Sequence, residues 1–176
     1  MAERPLNATA ASLLGFLHDG PLTGWDLVAV AQDRIGDFWS LTQSQVYREL
    51  TVMATDGLIV AGERGPRDRR PYAITDAGRA RFVEWLGQMP DEETIRFPLL
   101  LTVMFGRHLP PQRLAELVAG HRKVHQDRLA SYRQMMATAT EEGADPFVLA
   151  PLDFGIRYEQ TALAWFDALP PEISGG

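Results

Sequence analysis

Two helix N-terminal signals of the same form occur in the first third of the chain. Thr23 lies three residues before Asp26, and Thr42 lies three residues before Gln45. In each pair the hydroxyl can accept a backbone N–H of the first helical turn, while the later side chain bonds back to the cap. Together with single capping residues at positions 7 and 75, these signals predict four helices, over residues 7–18, 23–35, 42–57 and 75–87.

A basic hairpin is predicted between the third and fourth helices. Residues 58–63 and 70–75 are two short strand-like runs, and the turn from Arg64 to Arg70 reads Arg-Gly-Pro-Arg-Asp-Arg-Arg. Four arginines against one aspartate give this turn a net charge of +3, although the whole chain carries −6. Pro71 cannot donate a hydrogen bond to a sheet, so the second strand should lie at an edge or begin after it.

The third helix has the chemistry of a DNA-recognition helix. Val46, Leu50 and Met53 recur at spacings of four and three and predict its buried face, opposite Ser44 and Arg48. A winged helix-turn-helix has this order of elements: a helix, two capped helices, a basic hairpin and a fourth helix. Its third helix enters the major groove. The predicted DNA-binding residues are Gln43, Ser44, Gln45, Tyr47, Arg48, Arg64, Arg67, Arg69, Arg70 and Tyr72.

The second half of the chain is predicted to be helical and to join two copies. A mostly apolar, buried helix is expected over residues 94–107, a long helix over 112–143 and a closing helix over 152–169. A helix of about 30 residues is about 45 Å long, which is more than a small lobe can cover, so part of its apolar stripe should meet a second chain. The predicted dimerisation residues are Leu114, Leu117, Val118, Val124, Leu129, Tyr132 and Met136 of the long helix, with Ile156, Tyr158, Trp165 and Phe166 of the closing helix.

The predicted fold class is mainly α with a small β-hairpin. An N-terminal winged helix-turn-helix occupies residues 1–89, a C-terminal helical dimerisation domain occupies residues 90–170, and residues 171–176 form a disordered tail.

Several motifs in the first half resemble the PadR family of transcriptional regulators over about residues 6–89. They are Gly20-Pro-Leu-Thr-Gly-Trp-Asp-Leu27, Phe38-Trp39, Thr42-Gln-Ser-Gln-Val-Tyr-Arg-Glu-Leu50, Asp56-Gly-Leu-Ile59 and Tyr72-Ala-Ile-Thr-Asp-Ala-Gly78. Ser44-Gln-Val-Tyr-Arg48 replaces the commoner Gly-Ser-Ile-Tyr-Pro pattern and resembles the branch nearer the AphA-type activators. The aromatic placement of the closing helix, from Gly155 to Phe166, also resembles PadR dimerisation domains.

Composition and motifs argue against several other classes of protein. The absence of cysteine excludes disulfides and thiolate chemistry and suits the cytoplasm, and no apolar run approaches the roughly 18 residues that a membrane span needs. His121 and His125 have metal-ligand spacing, but Arg122 and Lys123 between them disfavour a cation. No nucleophile elbow, Walker loop or dinucleotide fingerprint is present. We therefore predict no metal, no cofactor and no enzyme activity.

The predicted function is sequence-specific binding of double-stranded DNA by a homodimer at a palindromic operator. Repression is expected, with activation left open by the variant recognition helix. The resemblance implies control by a small hydrophobic effector such as a phenolic acid or a drug, for which Trp25, Trp39, Trp85 and Trp165 are candidate lining residues if they are not simply core. The alternative is a winged-helix adaptor that binds proteins and does not read DNA, which the acidic net charge of −6 favours.

Overall fold

The chain divides into two compact units, Met1–Glu92 and Glu93–Gly176. The structure is a computed structural model, and it describes residues 4–36, 38–65, 69–93 and 95–175. Each unit has its own hydrophobic core.

The described residues of the N-terminal unit form four α-helices and three short strands. Each helix begins at its predicted cap: the backbone N–H of Ala10 donates to Oδ1 of Asn7 (2.8 Å), and that of Gly78 donates to Oγ1 of Thr75 (3.0 Å). Both capping boxes are formed, so the four predicted helix starts are confirmed. The elements are α1 (Ala8–Phe16), β1 (Leu22–Thr23), α2 (Gly24–Arg34), α3 (Gln43–Thr55), β2 (Ile59–Ala61), β3 (Pro71–Ile74) and α4 (Asp76–Leu86).

The hairpin is part of a three-stranded antiparallel sheet in the order β1-β3-β2. Ile59 pairs with Ile74 across the hairpin, and Leu22 pairs with Tyr72 on the other side of β3. Strand β3 is thus central, and the expectation that it lies at an edge or begins after Pro71 is wrong. Pro71 is tolerated because it is the first residue of the strand and its carbonyl still accepts from the backbone N–H of Gly62 (2.8 Å).

The core of this unit lies where α1, α2 and α3 meet the sheet. Its buried members include the predicted stripe of α3 and apolar residues from the other elements, and Phe82 of α4 packs against them. The buried residues are Ala10, Leu13, Leu14, Leu17, Leu27, Val46, Leu50, Met53 and Ile59. Burial of this stripe fixes which face of α3 is turned outward.

The C-terminal unit contains α5 (Pro98–Met104), a 3₁₀ turn (Gly106–His108), α6 (Pro111–Glu141), α7 (Pro146–Asp167) and α8 (Pro171–Ser174). The predicted long helix is confirmed as α6, with 31 residues. Leu99, Leu114, Val118 and Phe166 form the buried core of the unit, where α5, α6 and α7 meet.

Two helix starts differ from the sequence prediction by four residues or more. Helix α5 begins at Pro98 because proline suits the first helical position and holds Phe97 before it in an extended conformation. Helix α7 begins at Pro146, six residues earlier than predicted, because the Asp145 carboxylate caps it by accepting from the N–H of Phe147 (2.8 Å). Pro151 inside this helix lacks only the bond to the carbonyl of Phe147 in the exposed first turn, where water can replace it.

The expectation that α5 is buried is also wrong for the single chain. Only Leu99 of this helix is buried, whereas Leu100, Leu101 and Met104 are exposed. The tail differs as well: residues 171–174, expected to be disordered, form α8, and Ile173 packs on the core of the unit. Proline at the first position of that short helix favours its formation.

Within the described ranges, no helix combines the length and the apolar character that a bilayer span requires.

Candidate nucleic-acid interface

The N-terminus of α3 is held by side chains that the sequence singled out. The backbone N–H of Thr42 donates to Oε1 of Gln45 (2.8 Å), and the N–H of Gln45 donates to Oγ1 of Thr42 (3.3 Å). Gln45 is half-buried and its amide oxygen is used in this cap. Gln45, which the sequence predicts as a DNA contact, is therefore placed to fix the start of α3.

The face of α3 that lies opposite its buried apolar stripe presents polar side chains to solvent. Gln43, Ser44, Tyr47 and Arg48 are all exposed, while Val46, Leu50 and Met53 on the other side are buried. The early turns thus offer an amide, a hydroxyl, a phenol and a guanidinium on one rigid element. These are groups that hydrogen bond to base edges and phosphates.

Tyr47 is positioned by the first turn of α2. A β-carbon at Gly24 would lie 2.7 Å from Cε1 of Tyr47, so the tyrosine ring packs where only glycine leaves room. The ring remains partly exposed. Gly24 therefore sets how closely Tyr47 of α3 approaches α2.

Arg48 contacts a buried acid on its own helix. Its Nη2 donates to Oε1 of Glu49 (3.4 Å), and Nη2 of Arg4 lies 3.8 Å from the other oxygen of that carboxylate. Sequence analysis missed Glu49, although its spacing of three from Val46 and four from Met53 lies on the buried stripe. That spacing is the signal that could have found it.

The basic hairpin, called here the wing (residues 62–71), is closed by backbone and side-chain hydrogen bonds. The N–H of Gly65 donates to the carbonyl of Arg69 (2.8 Å), and Nε of Arg70 donates to the carbonyl of Gly62 (3.1 Å). Arg64, Arg69 and Arg70 are exposed, whereas Arg67 lies outside the described residues. Three of the four predicted wing arginines are thus found on one solvent-facing turn.

Arg69 also acts on the start of α2. The pKa of Asp26 is lowered, chiefly because the Thr23 hydroxyl donates to its carboxylate (2.7 Å), and also by the Thr23 backbone N–H (3.1 Å) and the positive charge of Arg69. Pairing of β1 with β3 brings the wing beside this helix. Tyr72 is half-buried in β3 and packs against the core, so it supports the sheet.

Both halves of the chain match known regulator families. Residues 13–84 match the transcriptional regulator PadR-like family, and residues 95–171 match the virulence activator alpha C-term family. The negative transcriptional regulator PadR of Bacillus subtilis is 26% identical over 174 residues, covering 90% of this chain and 93% of that protein. Residues 13–84 are therefore a PadR-like transcriptional regulator domain, in a chain that has a Bacillus subtilis PadR homologue of similar length.

Solved structures share the fold over nearly the whole chain. The crystal structure of Bacillus subtilis PadR in complex with operator DNA has a TM-score of 0.79 at 23% identity and covers 92% of this chain and 96% of that chain. The same protein in complex with p-coumaric acid has a TM-score of 0.74 at 23% identity, covering 98% of each chain. The Vibrio cholerae virulence activator AphA has a TM-score of 0.72 at 23% identity, covering 96% of each. The predicted fold class, a winged helix-turn-helix followed by helices, is confirmed.

The predicted dimerisation residues fall into three groups by their burial in the single chain. Leu114, Val118, Leu129 and Phe166 are buried within the chain itself, so they fill its own interior and do not offer a surface to a partner. Val124 and Tyr158 are exposed. The half-buried members are Leu117, Tyr132, Met136, Ile156 and Trp165.

The histidines of α6 make contacts within the C-terminal unit. Nδ1 of His125 donates to Oε2 of the buried Glu159 of α7, and the ring lies 5.4 Å from that of Phe166. His121, one turn earlier, is exposed. The pKa of the neighbouring Tyr158 is raised, first by burial and then by the charge of Glu159. In the described part of the chain, no three acidic or histidine side chains converge as metal ligands would.

The four tryptophans differ in their exposure within their own units. Trp165 packs on the C-terminal core with its ring 4.9 Å from Phe166, while Trp25 is largely exposed at the start of α2. Trp39 is exposed and Trp85 is half-buried.

Proposed function

We propose that this chain is a homodimeric, sequence-specific regulator that binds double-stranded DNA and represses transcription at a palindromic operator in the cytoplasm. We propose that residues 1–89 read the DNA and residues 90–170 join the two copies. The activity is binding, with no catalytic step. The observation that carries the proposal is the exposed polar face of α3 around Ser44, Tyr47 and Arg48, backed by a buried apolar face.

Base recognition is assigned to α3. A capped helix whose inner face is locked in a core can present its outer side chains with little freedom, which suits contact with base edges in the major groove. Arg48 has the donor geometry for a guanine edge, and Ser44 and Tyr47 can contact either bases or phosphates. Gln43 adds a fourth candidate at the first turn.

Phosphate affinity is assigned to the wing. The chain carries −6 overall, so its attraction to DNA must be local, and the exposed arginines of the wing provide the densest positive charge in the N-terminal unit. Their contacts would hold the duplex without selecting its sequence.

Association with a second copy is supported by apolar side chains that the single chain leaves uncovered. Phe97, Leu100, Leu101, Met104 and Phe105, on and beside α5, are exposed, as is Phe154 of α7 next to Tyr158. Monomeric proteins rarely leave so many neighbouring apolar side chains in water. We therefore add the exposed face of α5 to Val124 and Tyr158 as the dimer surface. A two-fold dimer requires a palindromic site.

Repression and effector control are supported by the relatives. The Bacillus subtilis relative is a negative regulator, and it has been solved with operator DNA and with p-coumaric acid. A small hydrophobic effector that weakens DNA binding is the corresponding proposal for this chain.

The proposal is tested by separating base reading from phosphate attraction. Full-length protein is titrated into a duplex from the region upstream of its own gene and into a scrambled duplex, each at two or more salt concentrations. Arg48→Ala should weaken operator binding by about 1–3 kcal/mol and reduce the preference over the scrambled duplex. The double variant Arg64→Gln/Arg69→Gln should weaken binding to both duplexes and lower the salt slope by about one unit for each phosphate that is no longer neutralised.

A matched control removes the same charge elsewhere. Arg113→Gln/Arg133→Gln changes two arginines of α6 and should leave the salt slope near that of the wild type. Absence of specific retention by the wild type even at low salt would contradict the proposal and favour the protein-binding adaptor.

A further inference from the structure

Two charged side chains are buried among the residues that the structure describes, Glu49 of α3 and Glu159 of α7. Glu49 is 2% exposed and follows Arg48 directly in the candidate recognition helix. A buried carboxylate is costly unless opposite charges and hydrogen bonds compensate it. Its presence in this helix therefore calls for a specific role.

The compensating charges of Glu49 come from two arginines. Nη2 of Arg48 lies 3.4 Å from one carboxylate oxygen and Nη2 of Arg4 lies 3.8 Å from the other. Arg4 is itself held, because Nη2 of Arg81 in α4 donates to its backbone carbonyl (2.9 Å). The Glu49 carboxylate thus lies between Arg4, in the segment that leads into α1, and Arg48 of α3.

Arg48 can keep this contact and still bind DNA. A guanidinium has five N–H donors, and the bond to Glu49 uses one. The side chain remains 67% exposed, so the other donors are accessible. Residues one apart normally diverge on a helix, so the contact requires the long Arg48 side chain to turn back along α3 toward the acid.

We propose that Glu49 is a positioning residue that fixes the guanidinium of Arg48 for base recognition. The inference rests on the proposed function and deepens it. An arginine that is already oriented loses less side-chain freedom when it meets a base, and it is restricted to one set of contacts. Glu49 thus raises the preference for the operator, while its negative charge adds nothing to attraction for phosphates.

The test measures the ratio of dissociation constants for scrambled and operator duplexes with full-length protein. Glu49→Gln keeps the side-chain volume and removes the charge. Its ratio should fall by about tenfold, while affinity for the scrambled duplex stays equal or rises because a negative charge is removed near the phosphates. In the Arg48→Ala background the same substitution should cause no further fall, since both changes remove one interaction.

Two more variants make the result specific. Glu159→Gln is the matched control, a buried glutamate of the C-terminal unit, and should leave the ratio unchanged. Glu49→Asp retains the negative charge but, with a shorter side chain, moves the carboxylate away from Arg48, so the ratio should again fall. This variant provides the test if Glu49→Gln does not fold. Thermal unfolding of each variant identifies loss of structure.

Three results would overturn the inference. The first is a Glu49→Gln protein with the wild-type ratio. The second is a fall in affinity for both duplexes that is additive with Arg48→Ala and follows a lowered unfolding temperature, because that pattern belongs to a structural role only. The third is a wild type without operator preference, which would remove the proposed function as well and is recognised before any variant is compared.

Discussion

At the scale of single residues, two glycines of the N-terminal unit permit contacts that a β-carbon would block. A β-carbon at Gly78 would lie 2.1 Å from the carbonyl oxygen of Leu58, which is backbone and cannot swing aside. At Gly24 the obstacle is the ring of Tyr47, which can rotate. The first contact joins α4 to the residue before β2, and the second joins α2 to α3. The first contact therefore determines how closely α4 packs on the sheet, and the second determines where Tyr47 stands.

We expect the two glycines to differ in the cost of substitution by alanine. Gly78→Ala should lower the free energy of unfolding by about 3 kcal/mol, because the backbone must shift. Gly24→Ala should lower the free energy of unfolding by about 1 kcal/mol or less, because Tyr47 can turn away. It should also reduce operator affinity, because the displaced ring of Tyr47 is one of the proposed DNA contacts. Urea denaturation measures the first effect and titration of the operator duplex measures the second.

Gly120 provides the control for this series. It lies within α6 and a β-carbon there would meet nothing within 4 Å, so Gly120→Ala should raise the free energy of unfolding by about 0.5–1 kcal/mol. A Gly78→Ala protein as stable as the wild type would contradict the packing described for α4.

Asp26 gives a residue-level prediction for pH. Its pKa is below the usual value because the Thr23 hydroxyl and backbone N–H bond to the carboxylate and Arg69 adds positive charge. A lowered pKa in the folded state means that the stabilisation is complete above the unfolded value of about 4 and is lost as the pH falls through the folded value. Asp26→Asn should therefore destabilise at neutral pH, by no more than about 1 kcal/mol at this partly exposed site, and the difference should vanish in acid.

Unfolding by urea at several pH values between about 2 and 7 measures this difference. Asp33→Asn, at an exposed position of the same helix outside the capping box, is the control. A constant difference between wild type and Asp26→Asn across that range would contradict the assignment.

At the scale of elements, the features predicted best from sequence were those governed by local chemistry. Helix starts at Asn7, Thr23, Thr42 and Thr75 depend on a side chain within three residues, and all four were predicted. Strand β1 was missed because it has two residues and exists only through pairing with β3, far along the chain. The central place of β3 could not be inferred for the same reason.

The helices of the C-terminal unit show a second limit of sequence prediction. Apolar content suggested that α5 is buried, but apolar content cannot say whether the same chain or another one covers a face. In α6 and α7, Leu114, Val118 and Phe166 were predicted to meet a partner, and their own unit already covers them. The recognition face of α3 was predictable because its buried stripe and its polar residues alternate with helical period. The contact of Glu49 with Arg4 was not predictable, because the two residues are far apart in the sequence.

At the scale of the whole molecule, dimerisation is predicted to depend on the exposed face of α5. Leu101 and Met104 are 62% and 71% exposed, so Leu101→Glu/Met104→Glu should fold normally. Two like charges brought into a paired apolar surface should convert the dimer to a monomer, as measured by sedimentation. Val83→Glu, at an exposed position of α4, should remain dimeric. A dimeric α5 variant would show that the surface lies elsewhere.

Dimerisation and DNA binding are coupled in this account. Joining two weakly binding winged helices makes the second contact intramolecular, which can raise the affinity about 10²–10⁴-fold. The α5 variant should accordingly lose at least about a hundredfold in affinity for a full palindrome and much less for an isolated half-site.

The central claim, that two copies of this chain bind one palindromic operator, is tested most directly by the composition of the complex. The full-length protein is mixed with a labelled duplex from upstream of its own gene, and the mass of the saturated complex is measured by sedimentation beside a footprint of the same duplex. We predict two chains for each duplex and a protected site with two-fold sequence symmetry. One chain for each site, or no specific complex at low salt, would contradict the account.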